Sequence, residues 1–356
     1  MKRRGVTVLA GFVLAVLLVA GINLARVPYV VMSAGPTVNT LSAVDDKGRA
    51  CTVGAKDAPK SCQNVIQIAK TDASASKGQL RLVTVNVQSS VNVLDVIKGW
   101  FSDEQAVIPY EFVYPPDRTK DQVEQQNQEE FKNSQSSAET AALRKLGYPV
   151  RVGVGGVTAG GAADGLLKKD DVIDAVDGTK IESPSQLIEL VKAKPAGTVL
   201  KFEVTRDGKA ETVEVTTRPA SDTDKTPRIN IEVTTVQPHP FDLTIKLDDI
   251  GGPSAGLMFA LGIMDKLTPE DLTGGKIIAG TGTIDDDGKV GPIGGVPQKL
   301  YGAQAAGAVV FLTPADNCAE AKANALPGLP LVKVATLDDA LNALATLRAG
   351  GQPPTC

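Results

Sequence analysis

The sequence predicts a multidomain protein of α/β and α+β class: an N-terminal transmembrane helix, a β-rich N-terminal region, a small sheet-and-helix module and a C-terminal α/β domain. Three observations carry that expectation. Val6 to Ala25 is an apolar stretch of the length that spans a bilayer as a helix. Apolar and polar residues alternate at half-buried-strand spacing in several segments between Val27 and Thr217. Finally, Gly251-Gly252-Pro253-Ser254-Ala255-Gly256 lies between the alternating segment Leu243 to Leu247 and the apolar run Leu257 to Leu267, which reads as strand, tight turn and helix.

The chain has 356 residues, 42% of them hydrophobic, enough for about two or three domains with ordinary cores. Its formal net charge of −4 and the absence of a long basic run after residue 4 leave no footprint for tracking phosphates, and 4% aromatic content offers few base-stacking surfaces. No nucleic-acid partner is expected.

At the N-terminus, Met1-Lys2-Arg3-Arg4 places positive charge before the apolar stretch. The positive-inside rule then predicts a single-pass protein of the cell membrane, with residues 1–27 as cytoplasmic tip and anchor and everything after Arg26 extracytoplasmic. Cleavage of the segment as a signal peptide near Val19-Ala20-Gly21 is the alternative. Residues 28–116 read as a β-rich extracytoplasmic region, with Tyr29-Val30-Val31, Val65 to Ile68 and Leu80 to Val87 as half-buried strands. Residues 117–147 are polar and rich in Gln and Glu, with Val123, Phe131, Ala138, Ala142 and Leu146 too sparse for a wide apolar face, so an exposed helical linker is expected.

Four cysteines, Cys51, Cys62, Cys318 and Cys356, form an even set. Outside the cytoplasm that suggests disulfides, and sequence proximity favours Cys51–Cys62 with Cys318–Cys356, against a reading of four free thiols. None lies in a CxxC or beside the lone His239, so no metal is expected.

Residues 148–220 form a second module. Val150 to Val154 reads as a strand, Gly165 to Gly178 as turn, strand and tight turn, and Ser183-Pro184-Ser185-Gln186 as the capped start of a helix carrying Leu187, Leu190 and Val191 on one face. Two alternating strands then flank Asp207-Gly208. This arrangement resembles a PDZ domain of the bacterial protease type. The resemblance implies a groove in which an extended peptide adds to a sheet edge, lined by Val152, Gly153, Val154 and Leu187. A polar stretch around Ser221 to Thr226 links to a domain spanning 228–347, followed by a short tail, 348–356. Within that domain Ile229 to Val236, Leu243 to Leu247 and Ile277 to Gly280 read as strands.

The chemistry concentrates in that domain. The turn before Leu257 puts the Ser254 hydroxyl at a helix N-terminus, where the backbone N–H groups of Gly252 to Ser254 and the positive end of the helix dipole can stabilise a developing oxyanion. Gly252-x-Ser254-x-Gly256 has the form of a nucleophile elbow, but a triad of that kind needs a histidine after the serine, and His239 precedes it. A Ser-Lys dyad remains. Gly291 to Lys299 is a Gly/Pro turn that leads into a helix with Lys299 in its first turn. For the amine to serve as a base near neutral pH its pKa must fall by about 3 units, which burial would cause.

Gly-Pro-Ser-Ala-Gly, Ile293-Gly294-Gly295-x-x-x-Lys299, and Thr281-Gly282 lying eighteen residues before the lysine together resemble the proteolytic domain of Lon-type proteases. The resemblance implies Ser254 as nucleophile, Lys299 as general base, Thr281 as the hydroxyl that orients the amine, and a homo-oligomeric assembly. The chain departs from the family at Gly251, where an acidic residue is common, and at Pro297, where a lysine occurs. None of its Gly-Lys pairs, Gly208-Lys209, Gly275-Lys276 and Gly288-Lys289, is followed by Ser or Thr, so no phosphate-cradling loop and no cofactor are expected. The expected function is an ATP-independent, membrane-anchored serine endopeptidase acting on unfolded or membrane-associated proteins, with the PDZ-like module recognising peptide substrates. The competing expectation is an inactive membrane-tethered adaptor that binds protein C-termini.

Overall fold

The computed structural model describes residues 12–14, 21, 26–46, 49–221, 223–247 and 250–356. Its principal elements run in chain order as β1 (Tyr29–Asn39), β2 (Ile66–Ala69), β3 (Gln79–Gln88), α1 (Val93–Trp100), β4 (Ala106–Pro109) and α2 (Lys120–Lys145). Next come β5 (Arg151–Val157), β6 (Val172–Val176), α3 (Pro184–Lys192), β7 (Val199–Arg206), β8 (Lys209–Thr216) and β9 (Ile231–Val236). The remainder is β10 (Asp242–Ile245), α4 (Gly256–Leu267), β11 (Ile277–Gly280), α5 (Val296–Ala305), β12 (Val310–Pro314), α6 (Cys318–Ala323), β13 (Leu331–Val334) and α7 (Leu337–Arg348). These elements fall into two compact units, one of Met1–Ala142 with Phe241–Cys356, the other of Leu143–Pro240.

The first unit is organised on a mixed sheet of order β13-β12-β11-β3-β1-β4. Strands β11, β12 and β13 are parallel, and β11 also runs parallel to β3, with Ile278 opposite Leu80 and Gly280 opposite Leu82. Covered on both faces, β12 is buried along its whole length, Val310 to Pro314, as its apolar sequence requires. Helix α4 is buried from Gly256 to Asp265 because it is apolar nearly all round. The β-rich region expected at 28–116 is thus no separate body: β1 and β3 complete the sheet begun by strands some two hundred residues later. Hydrogen bonding between strand edges, which sequence proximity does not report, makes that connection.

Helix α2 departs from the expected exposed linker in the same way. Although its exposed face is strongly polar, Phe131, Ala138, Ala141 and Ala142 are buried, and the Phe131 ring meets Phe259 of α4 edge-on with centroids 5.7 Å apart. One large aromatic and several alanines suffice to seat a helix on a narrow contact, because small side chains let the backbones approach closely.

The N-terminal transmembrane helix is not supported. Of Val6 to Ala25 only Phe12–Leu14 and Gly21 belong to the described residues, and the rest of the proposed span lies outside them. Among the described residues no helix is long and apolar enough to cross a membrane. Helix α2, with 26 residues, has the length but carries Asp, Glu, Lys, Arg and Gln through most of its turns. A single-pass arrangement with a cytoplasmic N-terminus therefore has no support.

The second unit is an antiparallel sheet of order β8-β7-β6-β5-β9 with α3 against its core. Val152, Val154, Ile173, Leu187, Leu200 and Phe202 are buried there. Ser183 caps α3 by accepting from the Gln186 N–H, and Asp207-Gly208, both at positive φ, turn β7 into β8. Asp171 is held at both carboxylate oxygens by Arg206, each across 2.7 Å. Strand β9, expected within the proteolytic domain, instead extends this sheet by pairing with β5, Thr234 opposite Gly153 and Thr235 opposite Val152. Disulfides join Cys51 to Cys62 and Cys318 to Cys356.

Candidate active site

A cleft of about 800 Å³ opens in the first unit, and Ser254 and Lys299 both line it. Ser254 lies in the turn that leads into α4, two residues before the first helical residue. That turn needs its glycines. Gly252 has φ +87°, and a Cβ on Gly256 would come within 2.8 Å of Ile284 Cγ2 and 2.9 Å of Ser134 Oγ. The Ser254 carbonyl accepts from the Gly282 N–H at 2.9 Å and from Thr281 Oγ1 at 3.0 Å, while the Leu257 N–H donates to Gly282 at 3.1 Å. These bonds tie the turn to the residues that leave β11.

Lys299 stands in the first turn of α5. Gly295 at φ +69° starts that helix, and a Cβ there would lie 2.7 Å from Val85 Cγ2, so only glycine lets the turn approach β3. The lysine is 3% exposed, and its amine donates to Thr281 Oγ1 across 3.2 Å. Burial lowers the Lys299 pKa to about 8, against a smaller upward pull from the charge of Glu320. The cause is the expected one: an ammonium that loses water in an apolar, glycine-lined setting gives up its proton more readily.

Thr281 is 1% exposed and follows the last residue of β11, at the carboxyl end of a parallel strand. Its hydroxyl proton goes to the Ser254 carbonyl, so an oxygen lone pair is left to receive an amine N–H. A neutral amine can make that donation and still keep its lone pair. Among the described residues no hydrogen bond joins Ser254 Oγ to Lys299 Nζ; the two meet through the shared cleft and through Thr281.

Of the three residues expected to supply oxyanion donors, Gly252 has its N–H bound to the Asn127 carbonyl at 2.8 Å, and Pro253 has none. Ser254 retains one. Sequence reasoning missed Asn127 and Ser134 of α2, which grip this turn; a backbone carbonyl and one serine in a polar helix carry no signal that would have found them. Met32 of β1 and Val85 of β3 also line the cleft, so the segment before residue 117 contributes a wall to it. His239 belongs to the second unit, where its Nδ1 lies 2.7 Å from the Gln237 carbonyl.

The residues expected to line a peptide groove are placed differently. Val152, Gly153 and Val154 are buried, and their strand β5 is paired on both edges, with β6 and with β9. A cavity of about 490 Å³ in the second unit is instead lined by Leu187, Ile188 and Val191 of α3 and by residues 227–233. Leu187 reaches it; Val152 to Val154 do not, because β9 takes the free edge that a peptide would need.

Among the described residues no group of His, Cys, Asp and Glu could hold a metal ion. Taken together, the first unit presents a serine in a helix-leading turn and a buried, deprotonable lysine on one cleft, an arrangement of the serine-peptidase class. Comparison with known proteins matches two domain models. Residues 248–346 match the Lon protease C-terminal proteolytic domain, and residues 120–217 match the PDZ domain. The chain therefore carries a Lon-type serine-peptidase domain and a PDZ domain.

Among similar proteins, "Lon protease 1" of Sorangium cellulosum (strain So ce56) is 40% identical over 103 residues, which is 28% of this chain and 12% of that protein. "Lon protease 2" of Bacillus subtilis (strain 168) is 32% identical over 125 residues, 34% of this chain and 21% of that protein. The chain thus matches only a small part of the length of these relatives. A solved PDZ domain of an SdrC-like protein from Listeria monocytogenes is 24% identical, with 23% of this chain and 86% of that one covered and a TM-score of 0.22.

Proposed function

We propose that this chain is a serine endopeptidase in which Ser254 is the nucleophile, Lys299 the general base and Thr281 the hydroxyl that holds the amine, and that it cleaves protein or peptide substrates without a nucleotide. The observation that carries the reading is the buried Lys299 amine, donating to Thr281 on the cleft that Ser254 lines, with its pKa lowered to about 8. Near neutral pH a useful fraction of the amine is then uncharged.

In the first half-reaction the Ser254 hydroxyl gives its proton to the Lys299 lone pair as Oγ attacks the scissile carbonyl carbon. The carbonyl oxygen becomes an oxyanion, which the Ser254 N–H can receive. Collapse of the tetrahedral intermediate breaks the peptide C–N bond, and Lys299 passes its proton to the departing amine. The resulting ester is hydrolysed by water, whose proton Lys299 takes in turn. Throughout, Thr281 keeps the amine aimed by accepting one of its N–H groups.

Nucleotide independence is supported by the sequence alone, in which none of the three Gly-Lys pairs noted above continues to Ser or Thr. The test is labelling by a fluorophosphonate together with turnover of an unfolded protein such as casein, with and without ATP. Labelling at Ser254, turnover unaffected by ATP, and loss of both labelling and turnover in Ser254→Ala are expected. An unlabelled serine, with no turnover by the wild-type chain, would instead favour the inactive adaptor.

A further inference from the structure

Two residues of α2 grip the turn that carries Ser254, although neither lines the cleft. Ser134 is 5% exposed, and its hydroxyl donates to the Pro253 carbonyl across 2.8 Å. Asn127, seven positions earlier and so on the same face of the helix, accepts from the Gly252 N–H through its carbonyl, also at 2.8 Å. Phe131 lies between them and packs on Phe259 of α4. One helical face therefore clasps both the turn and the helix that follows it.

The consequence for chemistry follows from peptide planarity. The Pro253 carbonyl and the Ser254 N–H belong to a single rigid trans unit and point in opposite directions. A donor that fixes the carbonyl end also fixes where the N–H points, which is away from α2. The next peptide unit is fixed as well, since the Ser254 carbonyl is held by Thr281 Oγ1 and the Gly282 N–H. With the Gly252 N–H already bound and Pro253 lacking one, the Ser254 N–H is the oxyanion donor that this part of the turn retains. Among the described residues nothing accepts from it.

We infer that Ser134 is a positioning residue: through the Pro253–Ser254 peptide unit its hydroxyl sets the direction of the N–H that receives the oxyanion. This rests on the reading of Ser254 and Lys299 as nucleophile and base. Ser134 touches no reacting atom, so its removal should spare ground-state binding and the proton chemistry of Lys299 while weakening stabilisation of the tetrahedral species.

The experiment uses the full chain and two variants, Ser134→Ala, which deletes the hydroxyl, and Ser134→Cys, which keeps a weak donor. Steady-state kinetics on an unfolded protein substrate are compared with inhibition by a peptide boronate, which forms a tetrahedral adduct on the serine. In Ser134→Ala, kcat should fall roughly 10- to 100-fold, less than the full loss of an oxyanion donor. KM should stay within about twofold, and the boronate inhibition constant should rise by the same factor as kcat falls. The pH midpoint of kcat/KM should not move, and Ser134→Cys should lie between the wild type and Ser134→Ala. Unchanged kcat in Ser134→Ala, a loss confined to KM, or a fall in kcat with boronate affinity intact would overturn the inference. A Ser254→Ala control separates the two claims: if that variant still turns over, the dyad reading fails, whereas a dead Ser254→Ala beside a fully active Ser134→Ala removes only the role of Ser134.

Discussion

The Lys299 amine and Thr281 Oγ1 lie 3.2 Å apart in a setting where both residues are almost wholly buried, and the threonine hydroxyl is itself committed to the Ser254 carbonyl. The base is thus tied to the nucleophile's own backbone through one intervening hydroxyl. Burial favours the uncharged amine, since a full charge there is only poorly solvated.

The first consequence is a pH profile. Protonated Lys299 cannot accept the serine proton, so kcat/KM should rise with pH through a single midpoint near the lysine pKa of about 8 and level off above it. His239→Ala should leave that limb in place, because His239 does not line the cleft. A continuous peptide assay between about pH 6 and 10 measures it.

Stability should move the other way in a lysine variant. Burial lowers the pKa from the ordinary lysine value of 10.5 to about 8 in the folded chain, so below about pH 8 folding confines a charge that the unfolded chain solvates freely. Lys299→Met removes that cost of about 3 kcal/mol, offset in part by the lost Thr281 hydrogen bond. The cost is fully present below the folded pKa, shrinks as pH rises, and is gone above the unfolded value. Denaturant melts at pH 7 should therefore show the variant more stable than the wild type, and melts near pH 10.5 should show the advantage gone.

Thr281→Val keeps the shape of the side chain and deletes the hydroxyl. The amine then loses its acceptor and the Ser254 carbonyl one of its two donors, so kcat/KM should fall about 10- to 100-fold as base and nucleophile lose their mutual alignment. Two buried hydrogen bonds are lost at once, and unfolding free energy should drop by about 1–3 kcal/mol. Thr281→Ser should recover most of the activity.

In the second unit, Asp171 is 1% exposed and receives two hydrogen bonds from Arg206. Asp171→Ala leaves the guanidinium without its buried partner and also removes the acceptor for the Lys168 N–H. A loss of about 3 kcal/mol is expected in the unfolding of that unit. Thermal melts followed by hydrogen exchange in β6 and β7 would register it.

By itself the sequence determined the local chemistry: Ser254 in a glycine-bounded turn before an apolar helix, Lys299 in the first turn of another, Thr281 at the end of a strand, and a second module of PDZ type. Each of these is written in neighbouring residues, because turns, caps and helix starts are decided by contacts a few positions apart. Tertiary structure decided what shares a sheet. The alternation of β1, β3 and β9 reads the same whichever edge they pair with, so only the fold reveals that β1 and β3 complete the peptidase sheet and that β9 closes the edge of β5. The grip of α2 on the nucleophile turn belongs to the same category, for it is made by a backbone carbonyl and a single hydroxyl brought there by packing more than a hundred residues along the chain.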